Sequence, residues 1–330
     1  MQSLPPAGGG APTPGPDPIP DRPVYSGRLG ELYRLFLVNL LLTVVTLGIY
    51  RFWAKTRMRQ YLWRHIAVRG ESLEYTGTGK ELFVGFLKAA LILAPAFIVL
   101  AIIEVVLATT WPGLERAIET LRGLIILWLI YVGSFAAWRY RMSRTLWRGI
   151  RFRQEGSPWR YGTTGFRLLL LSILTLGLYS PFMNARLQSF ATNNLSYGSA
   201  RFTFGGHGRD LFKRFFVAWL LFIPTLGLSF FWYSAFKTTY YAAHTRLDGV
   251  SFAMPVTGGA LFRLIVGNLL LIVISFGLLW PIALGRTIRF TCERLTIAGD
   301  LDFASVSQRP LDAKDREGLA SFLDTEIGIG

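Results

Sequence analysis

The stretch Leu32-Tyr33-Arg34-Leu35, then Thr46-Leu47-Gly48-Ile49-Tyr50, then Arg57 and Tyr61, decides how this chain is read, because the chain repeats it. It returns as Gly165-Phe166-Arg167-Leu168, Thr175-Leu176-Gly177-Leu178-Tyr179, Arg186 and Phe190. It returns again as Leu261-Phe262-Arg263-Leu264, Ser275-Phe276-Gly277-Leu278-Leu279, Arg286 and Phe290. A looser copy has Leu211-Phe212-Lys213 and Thr225-Leu226-Gly227, and the match of Gly149-Ile150-Arg151-Phe152 to Gly249-Val250-Ser251-Phe252 marks a fifth, divergent one. Self-similarity on this scale signals stacked units, none of which can bury its apolar face alone.

Six apolar stretches run through these copies, near residues 32–53, 82–107, 121–138, 166–183, 211–236 and 261–283. Roughly 20 apolar residues in a helix cross a hydrocarbon core of about 30 Å, so the stretches read as transmembrane helices. Each copy then closes with a basic helix-like segment, a glycine and a strand-like fragment, at 70–77, 198–205, 249–255 and 299–306. Arg201-Phe202-Thr203-Phe204 alternates with period two, as a half-buried strand requires. A lone strand leaves its backbone unpaired, so the fragments are expected to pair with one another in small sheets. The expected fold is mainly α: a polytopic transmembrane helical bundle built from internal repeats, each with a short strand-like fragment in its loop.

Composition points the same way. Of 330 residues, 52% are apolar and only 17% charged, against roughly 25% charged in soluble proteins. Aromatic residues make up 15%, which suits rings placed at membrane interfaces. There are 35 basic and 20 acidic residues, and seven of the acids lie in the last 31 positions, so the basic surplus belongs to the apolar body. Nucleic-acid domains are not built from long apolar runs, so the expected partners are membrane lipids, anionic headgroups above all, and not nucleic acid. The chain divides into a Pro/Gly-rich tail at 1–28, expected to be disordered, a repeat-containing transmembrane domain at 29–306, and an acidic tail at 307–330. The single Cys292 excludes an intrachain disulfide and a cysteine-cluster metal site.

The segment 55–80 carries six basic and two acidic residues, and 139–165 carries seven and one. Positive-inside bias assigns both to the cytoplasm and the connection at 108–120 to the outside. Basic pairs bracket the runs, at Arg34 and Arg57, Lys213 and Lys237, and Arg263 and Arg286. The interval is roughly 33 Å of helix, which favours full crossings. The rival reading makes each Thr-Leu-Gly triplet the tip of a re-entrant hairpin, tolerated where protein or a water-filled cavity covers the backbone.

The repeated Thr-Leu-Gly-(Ile/Leu)-Tyr with Arg57 or Arg186 after it, and the run Trp147-Arg148-Gly149-Ile150-Arg151-Phe152, resemble the YjgN-like bacterial inner-membrane proteins. The resemblance covers roughly residues 26–305. It implies a bacterial inner-membrane location with several spans. The family is a domain of unknown function, so the resemblance implies no reaction. Pro181 and Pro281 follow its pattern, whereas Phe52 replaces proline in the first copy.

No constellation demands an enzyme. Gly77-Thr78-Gly79-Lys80 lacks the glycine and the Ser or Thr that a phosphate loop needs at Glu74 and Glu81. His65, His207 and His244 have no helical metal-site spacing, and no Gly-x-Ser-x-Gly elbow occurs. No cofactor or metal is expected. The sharpest ligand candidates are Arg57, Arg186 and Arg286, each eleven residues after the Thr or Ser of its triplet. They could together grip an anion through planar guanidiniums, or simply snorkel to headgroups. Glu104, inside an Ile-Ile-Glu-Val-Val run, is either part of an ion path or an interfacial acid. Asn39 and Asn268 share a repeat position and suit helix packing. The expected function is passage of a small solute by a transporter or channel-like protein. The alternative is a structural or lipid-interacting protein whose basic loops dock on anionic headgroups.

Overall fold

In a computed structural model of the chain, which describes residues 21–111, 114–299 and 306, helical hairpins alternate with strand pairs. β1 (Val24–Tyr25) leads into α1 (Leu29–Val45) and α2 (Arg51–Arg64), then β2 (Ile66–Val68) and β3 (Glu71–Tyr75). The long pair α3 (Gly79–Thr110) and α4 (Leu114–Ser143) precedes β4 (Thr145–Trp147) and β5 (Ile150–Gln154). α5 (Pro158–Leu174) and α6 (Ser180–Asn193) are followed by β6 (Leu195–Tyr197) and β7 (Ala200–Phe204). α7 (Gly208–Leu220), α8 (Ser229–Ala243), β8 (Thr245–Leu247), β9 (Val250–Ala253), α9 (Gly258–Ile274), α10 (Trp280–Arg294) and β10 (Thr296–Ala298) complete the order.

Four of the six apolar stretches break at their Thr-Leu-Gly or Ser-Phe-Gly triplet, and the break has one geometry. Thr46 Oγ1 donates to the Leu42 carbonyl (2.7 Å) and accepts from the Tyr50 amide (2.9 Å), tying the end of α1 to the start of α2. Leu47 and Gly48 both adopt left-handed backbone, at φ +50° and +92°, and the Gly48 amide reaches back to the Thr43 carbonyl (2.7 Å). Leu176-Gly177, Leu226-Gly227 and Phe276-Gly277 repeat those dihedrals, and each glycine amide bonds the carbonyl five residues back. Glycine takes such a φ without a Cβ clash. Pro181 and Pro281 lie in the first turns of α6 and α10, where a missing N–H costs nothing.

The fragments expected to form small sheets make one sheet of ten antiparallel strands in sequential order. A two-bond bridge ties Asp21, which precedes β1, to Ile297 of β10. Leu73 faces Trp147, Phe152 faces Tyr197, Phe202 faces Leu247 and Phe252 faces Ile297 across the ladders. All eight side chains line one apolar cavity of about 120 Å³. Their neighbours Arg151, Arg153, Arg201 and Thr203 fall on the other face, as a period of two dictates. The fragment expected at 299–306 lies outside the described residues except for Gly299 and Val306, and Val306 is buried in the same cluster.

The sheet and the broken runs correct the fold expectation. The chain is not the polytopic transmembrane helical bundle with strand fragments in its loops: half of each unit's connection is β-structure shared by the whole molecule. Among the described residues only α3 and α4 are long and apolar enough to cross a membrane. The expectation failed because counting apolar residues runs straight through a Thr-Leu-Gly turn made of apolar residues. The tail boundary expected at residue 28 falls after β1, and the acidic tail lies outside the described residues.

Neighbouring hairpins pack in order, and α10 packs back on α1, so the helices close a ring beside the sheet. Close approach depends on small residues. A Cβ at Gly208 would stand 2.6 Å from Phe182 Cα, and one at Gly79 or Gly258 would stand 2.6 Å from the ring of Trp53 or Trp232. Leu32, Met58 and Leu62, packed with Leu284 and Ile288, form the core where the ring closes.

Candidate membrane interface

Every helix of a hairpin meets the sheet at one end and a turn at the other. The turns therefore cluster on the side away from the sheet. At their tips stand Leu47, Leu176, Leu226 and Phe276, 94%, 77%, 92% and 97% exposed. Bulky apolar residues in the left-handed region cost roughly 1–2 kcal/mol each relative to right-handed backbone. In water, their exposure adds no compensating burial. The helix ends below them are apolar too, with Val44, Val45, Leu174, Ile223, Val273 and Ile274 exposed. Large contiguous apolar surfaces of this kind mark contact with another apolar phase or partner.

α3 and α4 reach farther than the other hairpins. At 1.5 Å per residue, 32 residues extend about 48 Å, against about 25 Å for the 17 of α1. Thr78 caps α3 by accepting from the Glu81 amide (3.2 Å), the local purpose of the Gly-Thr-Gly-Lys run. Glu104 of α3 forms an ion pair and hydrogen bond with Arg122 of α4, both partly buried.

At the sheet end, three hairpins are locked in the same manner. The Tyr61 hydroxyl accepts from the Arg28 amide (3.0 Å) and donates to Glu31 (3.3 Å). The Tyr240 hydroxyl accepts from the His207 amide (2.9 Å) and donates to Asp210. Tyr140 donates to Glu81 (2.8 Å), which also receives Arg144 (3.0 Å). A second-helix tyrosine thus fastens the start of its partner helix. Phe190 and Phe290 hold the equivalent positions and lack the hydroxyl. Within the sheet, burial pushes the Tyr197 phenol up to about 12, opposed by nearby Arg148. Its hydroxyl donates to the Trp147 carbonyl (2.9 Å).

The three repeat arginines are not brought together. Arg57 lies on α2, Arg186 on α6 and Arg286 on α10, all exposed, and the groove that Arg286 lines includes neither of the other two. Arg57 stacks over the Tyr50 ring at 5.5 Å. Arg286 enters a groove between α9 and α10 with Arg263, Arg289 and Arg294. Sequence reading missed the last two because none of the other three triplet-bearing copies has arginine there. Asn268 donates to the Ala283 carbonyl (3.2 Å) and Thr287 (3.0 Å), a packing role, whereas the buried Asn39 side chain finds no partner among the described residues.

A model of a family described as bacterial protein of unknown function (DUF898) matches residues 21–238 and 221–320. The chain is 30% identical over 174 residues to the inner membrane protein YjgN of Salmonella typhimurium, covering 53% of this chain and 41% of that one. It is 26% identical over 240 residues to the inner membrane protein YjgN of Escherichia coli K12, covering 62% and 58%. The chain therefore spans about half the length of the curated relatives it matches. No solved structure matches it.

Proposed function

Because the chain belongs to the DUF898 family of bacterial proteins of unknown function, we propose a role from its own geometry, as a lipid-binding protein of the bacterial inner membrane. Four hairpins, read as internal repeats together with the long pair, sink their apolar tips into one leaflet. The α3–α4 pair crosses the bilayer. The sheet rests on the cytoplasmic side, where its arginines meet anionic headgroups.

The single observation that carries this reading is the row of exposed tips at Leu47, Leu176, Leu226 and Phe276. Depth supports it. From Arg263 to Phe276 is about 20 Å of helix, a little more than the roughly 15 Å of one leaflet's hydrocarbon. From Lys88 to Thr110 is about 33 Å, a full core. The relatives' names support the location. Lipid binding is favoured over solute passage because aromatic and aliphatic side chains converge inside the sheet, leaving an apolar space of about 120 Å³ where a polar solute would have to travel.

The test places single cysteines at the four tips in a Cys292→Ala background, in inverted membrane vesicles. Tip cysteines are expected to resist a charged maleimide and to be quenched by lipids carrying a spin label deep in the chain. A cysteine at Arg148 should react in inverted but not in right-side-out vesicles. Reaction of the tips from either side would overturn the reading.

A further inference from the structure

On the sheet-proximal part of the last hairpin, α9 and α10 enclose a groove of about 270 Å³ lined by Arg263, Arg286, Arg289, Arg294, Glu293 and Phe290 among others. Four guanidiniums face one carboxylate. Among the described residues none of the four forms an ion pair. The Arg294 guanidinium stands over the Phe290 ring, 3.9 Å from its centroid, a cation–π contact that uses none of its N–H donors on a carboxylate. Four like charges with a single carboxylate among them repel one another, and an anion held there reduces that repulsion.

The groove is a property of this hairpin and not of the repeat. The terminal nitrogen of Arg286 would stand 3.2 Å from a Cβ at Gly267, so the missing side chain admits the guanidinium against α9. Counted back from the turn, the same position holds Val38 in the first hairpin and Val217 in the fourth. The positions of Arg289 and Arg294, counted forward, hold Gln60 and His65, Ser189 and Asn194, or Thr239 and His244 in the other triplet hairpins; the long pair has Arg139 and Arg144 there, and Arg144 is paired with Glu81. Among the triplet hairpins charge and space therefore coincide once.

The geometry points to a phosphate-binding groove, filled by the phosphate of an anionic phospholipid headgroup or by a free phosphate. Planar guanidiniums grip phosphate oxygens in pairs. The volume lies just under the roughly 300–1,000 Å³ of pockets for drug-sized ligands, the scale of a headgroup and not of a whole lipid. Toward the tip, Leu269, Leu270, Val273 and Ile274 of α9 are more than half exposed. They extend about 16 Å from Arg263, the length over which an acyl chain would lie against the helix. The lipid source rests on the membrane reading above; the phosphate chemistry does not.

The test titrates the purified full-length protein in a zwitterionic detergent with three probes: dihexanoyl phosphatidylglycerol, dihexanoyl phosphatidylcholine and inorganic phosphate. Binding of the glycerol lipid, with the choline lipid at least about tenfold weaker, is expected, since choline sets a further positive charge among the four guanidiniums beside the phosphate. Binding of inorganic phosphate alone supports the groove with a free phosphate as its source. Arg289→Gln with Arg294→Gln, both at the groove surface, should weaken the bound probe about tenfold or more. Gly267→Val should do the same without changing charge, while the distant Arg116→Gln should not. Equal affinity for all three probes, or anion binding unmoved by both groove variants, overturns the proposal. Groove-dependent binding in detergent together with tips accessible in vesicles would retain the groove and discard the membrane reading.

Discussion

Replacing Leu226 with Asn separates a tip in lipid from a tip in water by the sign of its effect. Leu226 sits at φ +50° and is 92% exposed. Asn enters the left-handed region several-fold more readily than Leu. In water, Leu226→Asn would therefore relieve strain and stabilise the turn by up to about 1 kcal/mol. In lipid the same change forfeits about 1.5–3 kcal/mol of apolar transfer and adds about 1–3 kcal/mol for an amide without a partner. The expected net cost is about 2–5 kcal/mol, strain relief included. Urea unfolding of the reconstituted protein, followed by tryptophan fluorescence, reads the difference; Leu226→Ala is a control for lost area alone. An unchanged or raised midpoint for Leu226→Asn would refute lipid burial of the tip.

Gly208→Val should destabilise by about 1–3 kcal/mol, seen as a lower thermal midpoint, because the new Cβ would meet the Phe182 backbone at 2.6 Å. Tyr240→Phe removes the hydroxyl that holds the His207 amide and Asp210 and should cost about 1–3 kcal/mol while leaving the far-ultraviolet circular dichroism unchanged, since Phe190 serves at the equivalent place. Burial raises the Tyr197 phenol to about 12, so its contribution is full below pH 10 and fades as pH rises from 10 toward 12. Tyr197→Phe should flatten that part of the stability–pH curve, and an unchanged slope would contradict the assignment. Glu104→Ala leaves Arg122 without its carboxylate within the long pair and should lower the yield of membrane-inserted protein, with Glu104→Ala/Arg122→Ala recovering part of the loss.

The recurrence of Thr-Leu-Gly is plain in the sequence, and so is the strand alternation around Phe202. What the triplet does is not plain. Leucine is a good helix former and a poor left-handed residue, so local propensity argues for continuing the helix through position 47. The turn becomes visible only with the Thr46 hydroxyl bridging Leu42 and Tyr50, a local hydrogen-bond detail that composition and propensity do not reveal. The single sheet was equally hidden, because Leu73 pairs with Trp147 across the long helical pair and nothing in either fragment names its partner. Arg286 was legible as a repeat position. Its groove was not, because Gly267, Arg289 and Arg294 depart from the other triplet hairpins, and comparing those copies reveals only what they share.

The hairpins also fix their own depth. Arg34, Lys213 and Arg263 stand thirteen residues before Leu47, Leu226 and Phe276, which sets each cation about 20 Å from its tip. In the third hairpin Arg167 stands only nine residues before Leu176, about 14 Å. The Leu176 carbonyl accepts from the indole of Trp219 near the end of α7 (3.0 Å), which ties that tip to the neighbouring hairpin. Arg167 stands about one helical turn nearer its tip than Lys213 does to its own, a difference a flexible guanidinium spans by snorkelling. A full crossing would need about 30 Å between a basic anchor and the far surface, and none of these four hairpins supplies it. Their lengths suit a tip that stops inside the bilayer, which is also where a leucine held in left-handed backbone can be buried without any protein partner.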